Sequence, residues 1–268
     1  MKNTCKLFGV MKSIAMQSRR FCAIALVAVI GFAITACPTE GGGGNNTDDD
    51  PPPKGVVSQP PTTNPNSSIG VWVDTNGNLR INAPVKTINQ NEELVDYTGS
   101  EVTVKAVIYF DYEGMELPEE LATGTITNGT LQISIPPLAS NLLTPAGANI
   151  PPGFVKAGAN IKIGEVKLEI ESSPDSFFRL DLVNDFGFYE TYNSWYANEQ
   201  YRYTYSEGDV TVSGRLKYPG GDIACGMLLK KGWNSVSQKY SFVNNYSSGT
   251  MISKPPPSTA VWVLKRDY

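Results

Sequence analysis

Ala122-Thr-Gly-Thr-Ile-Thr-Asn-Gly-Thr-Leu-Gln-Ile-Ser-Ile135 decides the fold class of this chain. Leu131, Ile133 and Ile135 fall on one face of an extended segment, and Asn128-Gly129 joins that segment to Ala122–Thr127. Asn-Gly between alternating runs is the strongest short hairpin signal, because both residues tolerate the positive φ that a tight turn of the right twist requires. Just upstream, Val102-Thr-Val-Lys-Ala-Val-Ile-Tyr-Phe110 places Val102, Val104, Ala106, Ile108 and Phe110 on one face. The same period of two recurs in 166–170, 178–182, 201–205, 210–212 and 260–264. Ser206-Glu-Gly-Asp209 reads as a second hairpin, and Gly232-Trp-Asn234 as the link between the runs 223–229 and 236–243. Gly70–Asn82, with Asn76-Gly77, reads as an extra hairpin at the domain edge.

No run of ten residues carries a 3.6-residue period; Gln90–Tyr97 and Pro118–Leu121 offer one helical turn each at most. About ten short strands separated by turn signals predict an all-β domain over 70–268. Its expected form is an antiparallel β-sandwich, Ig-like or transthyretin-like in general architecture. The irregular stretch 138–160 is either a boundary between two small β-domains or a crossover within one. One domain is preferred, since the first half alone offers only three paired strands.

Working outward to the N-terminus, residues 1–36 read as a secretory signal. Five basic residues (Lys2, Lys6, Lys12, Arg19, Arg20) precede a 14-residue apolar run, 21–34, which is short for a membrane span and right for a signal core. Met16-Gln-Ser-Arg-Arg20 alone would supply the basic region. Residues 37–69 are rich in Pro and Gly and hold no aromatic residue. Such a segment buries too little apolar surface to offset its ordering entropy, so it is expected to be a disordered tether. As a flexible coil it would span about 30 Å.

Setting the five signal charges aside from the 22 basic residues leaves 17 against 26 acidic, a net charge of −9. That balance argues against a nucleic-acid partner. The chain has no histidine, which removes Ser-His-Asp and Cys-His catalysis and every His-ligated metal site. No phosphate loop, cofactor motif or metal spacing is present, and none of these groups is expected. Of four cysteines, Cys5 and Cys22 leave with the signal, and Cys225 lies in an apolar run that suits a small core residue.

Ile34-Thr-Ala-Cys37 directly follows the apolar run and resembles the bacterial lipobox. That resemblance implies lipidation of Cys37 as the first mature residue, and hence a membrane partner reached through its lipid. The lipobox and tether, with Ala122–Ile135, Tyr203–Gly214, Leu228–Asn234 and Val261–Leu264, resemble lipoproteins of spirochaetes, Treponema-type in particular. The resemblance implies an exported protein anchored to a bacterial membrane, with the outer membrane or cell surface favoured. It implies no catalytic residues.

The functional reading then turns on carboxylates and aromatics. Asp181, Asp185, Glu190, Asp209 and Asp222 are the raw material for a glycoside hydrolase, which needs two carboxylates at a set separation. Asp181, however, alternates with Leu180 and Leu182 and is expected in solvent, and Asp209 sits at a turn. Nine aromatic residues fall between Phe186 and Tyr205. Tyr201, Tyr203 and Tyr205 share a strand face. Glu190–Gln200 lacks alternation and reads as a loop, in which Trp195 either caps the core or stands exposed. Tyr189, Tyr192, Trp195 and Tyr196 are accordingly the candidate ligand contacts. The sequence predicts a non-catalytic binding or adhesion module for an extracellular protein or glycan. The alternatives are a structural envelope lipoprotein and, least supported, a carboxylate-dependent glycosidase.

Overall fold

The computed structural model describes residues 61–267 apart from positions 63, 65, 68, 90, 92, 113–114, 149–153, 174–175, 190–193, 219–220 and 244–245. The signal segment, Cys37 and the first part of the tether lie outside the described residues. Sixteen strands follow in order: β1 (Val71–Val73), β2 (Leu79–Ile88), β3 (Leu94–Asp96), β4 (Val102–Tyr112), β5 (Met115–Thr127), β6 (Thr130–Ile135), β7 (Thr144–Pro145) and β8 (Val155–Ala157). Then come β9 (Lys162–Ser173), β10 (Ser176–Tyr189), β11 (Ser194–Ser206), β12 (Val210–Tyr218), β13 (Gly221–Leu229), β14 (Gly232–Val243), β15 (Tyr246–Ser253) and β16 (Val261–Asp267). The helical content among the described residues is one 3-10 turn, Ser140–Leu142. Both expected helical turns are extended instead: Leu94–Asp96 is β3, and Pro118–Leu121 lies within β5.

The all-β expectation holds, but the sandwich does not. Eight strands run in the order β9-β4-β5-β6-β2-β16-β10-β11, and β11 returns to β9 through Tyr203↔Val166 and Ser206↔Ile163. The sheet therefore closes into a barrel. Closure depends on β9, whose one edge pairs with β4 while its other pairs first with β11 and then with β10. A bulge bends the wall: Ala106 pairs with Ala122 but Val107 with Glu120, leaving Leu121 as the extra residue. Alternation is the same in a sandwich and a barrel; bulges and register, which decide between them, leave no period in the sequence.

Alternate residues of the barrel strands form one apolar interior. Leu79, Ile81, Ala83 and Val85 of β2, Val104, Ala106 and Ile108 of β4, and Val166, Leu168 and Ile170 of β9 are all buried there. The expected 70–82 hairpin forms, with Val71 paired to Ile81 and Val73 to Leu79, but it is not at an edge: β2 lines the barrel interior, with β6 and the parallel β16 as neighbours. The 128–129 turn is formed as expected, with φ 51° at Asn128 and 73° at Gly129. Leu138 and Leu143 pack over Gly164 at one end, where a Cβ would meet both side chains and Ile108. Tyr205, paired with Gly164, meets Trp233 edge-to-face at 5.3 Å, and the Trp233 indole donates to the Gly77 carbonyl oxygen at 3.1 Å. The folded backbone reaches back to Thr62, whose carbonyl oxygen accepts from the Val73 amide at 2.9 Å.

Beyond β11 the sheet continues as β14-β15-β13-β12-β8. This corrects two expectations. Ser206–Asp209 does not close a hairpin, because β11 pairs with β14 while β12 pairs with β13 and β8. The runs 223–229 and 236–243 are not neighbours either: β15, parallel to β13, lies between them. The sequence of β15, YSSGTMIS, is poor in β-branched residues and gives no strand signal on its own. Its neighbours on both edges supply the pairing that its own composition does not.

Candidate functional site

The aromatic segment is a strand, not a loop. Ser194–Ser206 forms one continuous β11, and its ladder with β10 runs from Leu182↔Tyr201 out to Phe188↔Trp195 and Tyr189↔Ser194. Trp195 thus occupies a paired strand position opposite Phe188, and Tyr196 one opposite Gly187. The ladder of β10 with β16 reaches Val183↔Val261, and that of β11 with β14 reaches Glu199↔Lys239. The β10–β11 pairing extends past those points to Tyr189 on β10 and Ser194 on β11. Tyr189, Trp195 and Tyr196 belong to this two-stranded extension, while Tyr192 and Glu190 lie outside the described residues. Nearer the barrel, Tyr201 and Tyr203 point into the core, as their shared face requires.

At the root of the extension stands a buried polar network that the sequence did not suggest. Glu199 Oε1 accepts from Ser237 Oγ at 2.7 Å and from Lys254 Nζ at 2.5 Å, and its Oε2 accepts from Asn184 Nδ2 at 3.1 Å. Asn184 Oδ1 in turn accepts from Thr259 Oγ1 at 2.9 Å. Burial opposes ionisation of Glu199, yet Lys254, Ser237 and Asn184 outweigh it and hold the carboxyl at about 2. The network ties β10, β11 and β14 to the connection between β15 and β16. Nothing in the spacing of 184, 199, 237, 254 and 259 reveals it, because strand order brings these positions together.

Asp181 is the second correction. It projects outward from β10 as its alternation requires, but it is 4% exposed rather than solvated. Lys265 Nζ lies 2.5 Å from Oδ2, Arg179 Nε 3.3 Å from the same oxygen, and Arg202 Nη1 3.9 Å from Oδ1. Burial would raise its pKa; Arg202, Lys265 and Arg179 more than reverse this and hold it well below the usual carboxylate range. A carboxylate so committed cannot serve as a proton donor near neutral pH. Asp222 is bound by Arg215 at 2.7 Å and Asp209 by Lys230 at 2.5 Å.

No protein-family model, curated protein or solved structure matches this chain.

Among the described residues no cluster of three Cys, Asp or Glu side chains is placed to hold a metal ion. Cys225 is buried at 4% exposure, donates to the Val212 carbonyl oxygen at 3.6 Å, and has its thiol pushed up to about 12 by burial. It behaves as a small core residue. A cavity of about 20 Å³, the size of a water molecule rather than of a metabolite, lies among Leu168, Leu180, Tyr203 and Trp262.

Proposed function

We propose that this chain is a lipid-anchored extracytoplasmic protein whose β-barrel domain is a non-catalytic binding module for an extracellular protein or glycan. Anchoring rests on the Ile34–Cys37 lipobox and its signal, and the Pro/Gly-rich segment that follows sets the domain off from the bilayer. The barrel's pattern agrees with a domain standing in water. Its interior is apolar, and the outward positions of its strands carry groups such as Lys105, Glu165, Lys167, Glu169 and Arg202. A barrel facing lipid would need an apolar outer band.

The observation that carries the binding reading is the extension of the β10–β11 ladder to Tyr189↔Ser194, past the last pairings with β16 and β14. It gives Tyr189, Trp195 and Tyr196 a paired backbone on a projecting hairpin, and Tyr192 belongs to the connection between its arms. Aromatic side chains on a paired backbone lose little entropy on binding and dominate interface hot spots. The engagement of Asp181, Asp209 and Asp222 with cations weighs against the glycosidase alternative.

The test is a binding screen of the full chain against arrayed glycans and extracellular proteins, with wild type beside Trp195→Ala. The expected result is a ligand whose affinity falls at least about 30-fold in Trp195→Ala, the loss of a roughly 2 kcal/mol hot spot. A ligand that binds both forms equally would move the site off the hairpin, and no ligand at all would favour a structural envelope role. Separately, Cys37→Ala should abolish lipid labelling and release the protein from the membrane fraction.

A further inference from the structure

The chain holds two Asn-Gly pairs in the same local sequence, Thr75-Asn76-Gly77 and Thr127-Asn128-Gly129. Both asparagines are exposed to solvent at a turn. A glycine after asparagine carries no Cβ to hinder its own nitrogen from reaching the asparagine side chain. That nitrogen can attack Cγ: an N–Cγ bond forms, the Cγ–Nδ2 bond breaks, and the amide nitrogen leaves as ammonia with the proton the glycine gave up. Solvent water then opens the cyclic imide. Opening at Cγ gives aspartate, and opening at the main-chain carbonyl gives isoaspartate. With the local sequence identical, the structure around each glycine nitrogen decides which pair reacts.

At the first pair the nitrogen is committed. The Gly77 N–H donates to the Asp74 carbonyl oxygen at 3.0 Å, and the Asn76 N–H to Asp74 Oδ1 at 2.9 Å. Asp74 is held in turn by Arg80 Nε at 2.7 Å, and the Gly77 carbonyl oxygen accepts from the Trp233 indole at 3.1 Å. Ring closure at Asn76 must break the Gly77 bond first. The second pair is different. Asn128 and Gly129 are the two turn residues between the paired Thr127 and Thr130. The Gly129 carbonyl oxygen accepts from the Val85 amide at 2.8 Å, but among the described residues the Gly129 N–H has no acceptor. The glycine is also fixed in place: it stands at φ 73°, and a Cβ there would lie 2.5 Å from the Tyr97 carbonyl oxygen. The fold therefore demands the dipeptide that exposes Asn128 to attack. We infer that Asn128 is a self-modification site, whose amide the Gly129 nitrogen converts to a carboxylate through the cyclic imide, ahead of Asn76. The isoaspartate product lengthens the main chain by a methylene at a turn that Val85 and Tyr97 clasp.

The test holds the folded full chain in warm, mildly alkaline, heavy-oxygen water and samples it over weeks by trypsin digestion and mass spectrometry. Cleavage after Lys54, Arg80, Lys105 and Lys156 puts Asn76 and Asn128 in separate peptides, 55–80 and 106–156. The peptide with Asn128 should gain labelled aspartate and isoaspartate about fivefold faster than the peptide with Asn76, the factor that one net hydrogen bond supplies. In guanidinium chloride, where both backbones are released, the two rates should converge. Equal or faster labelling at Asn76 in the folded chain would overturn the inference. So would an unlabelled Asn128, or a difference between the sites that survives unfolding.

Discussion

Replacing Glu199 with glutamine separates charge from packing at the root of the aromatic hairpin. The substitution keeps the shape of the side chain and removes the anion that Lys254, Ser237 and Asn184 converge on. The carboxyl is held at about 2 in the folded chain against an ordinary value of 4.5. That difference is at most about 3.5 kcal/mol of folding free energy, taking about 1.4 kcal/mol for each pKa unit. The Lys254 side chain is 40% exposed, so solvent screening brings the expected figure to about 2 kcal/mol. The sign follows from the direction of the shift. A carboxyl whose folded pKa is depressed contributes fully above its unfolded pKa and loses that contribution as pH falls toward the folded one, here from 4.5 down to about 2. Urea unfolding of the wild-type and Glu199→Gln chains should therefore show a gap of about 2 kcal/mol near neutral pH that narrows steadily through this window. A gap of the same size at about pH 7 and about pH 2.5 would refute the reasoning, because the loss would then come from packing and not from ionisation.

Asp181→Ala leaves Lys265, Arg179 and Arg202 crowded without their counter-charge and should cost about 3–5 kcal/mol in denaturant unfolding, with that penalty shrinking in acid as the wild-type carboxyl protonates. Gly124→Ala places a Cβ 2.3 Å from the Gln132 carbonyl oxygen and 2.6 Å from Ile133 Cβ, residues held by pairing with Thr125 of β5 and Ile81 of β2; thermal unfolding should show a loss of about 2 kcal/mol or more. Cys225 should resist thiol reagents in the native chain at neutral pH and react only after denaturation, since its thiol is buried and raised to about 12; rapid native labelling would show that β12–β13 opens.

Much of the barrel's inside was legible from alternation. Val104, Ala106 and Ile108, and the odd positions of 131–135, enter the core as their period requires, Val102 packs against it, and the Asn128-Gly129 turn forms where it should. Three things were not legible, each for a physical reason. Closure depends on β9 pairing along both edges and on the bulge at Leu121, and a bulge leaves no mark on a two-residue period. β15 has too little β-propensity to announce itself and owes its form to β13 and β14. Ser194–Gln200 does not alternate as a half-buried strand would, yet backbone pairing with β10 keeps it extended. Pairing across the sheet overrides local pattern wherever a long partner strand is available.

Asp181 shows why the candidate site resisted reading even where the fold did not. Alternation predicts the side of the sheet a residue faces, and Asp181 does face away from the barrel interior. Exposure on that side is a different quantity, set by the length of the neighbouring side chains. Arg179 two residues along, Arg202 on β11 and Lys265 on β16 bring their charges to the carboxylate, which stays 4% exposed. The register that gathers them pairs Arg179 with Lys265 across β10–β16, 86 positions apart in the chain. The same argument runs through Glu199, whose partners come from β10, β14 and the segment before β16. The acids that composition alone offers as catalytic candidates are thus, where the structure describes them, the ones strand order turns into ties between elements.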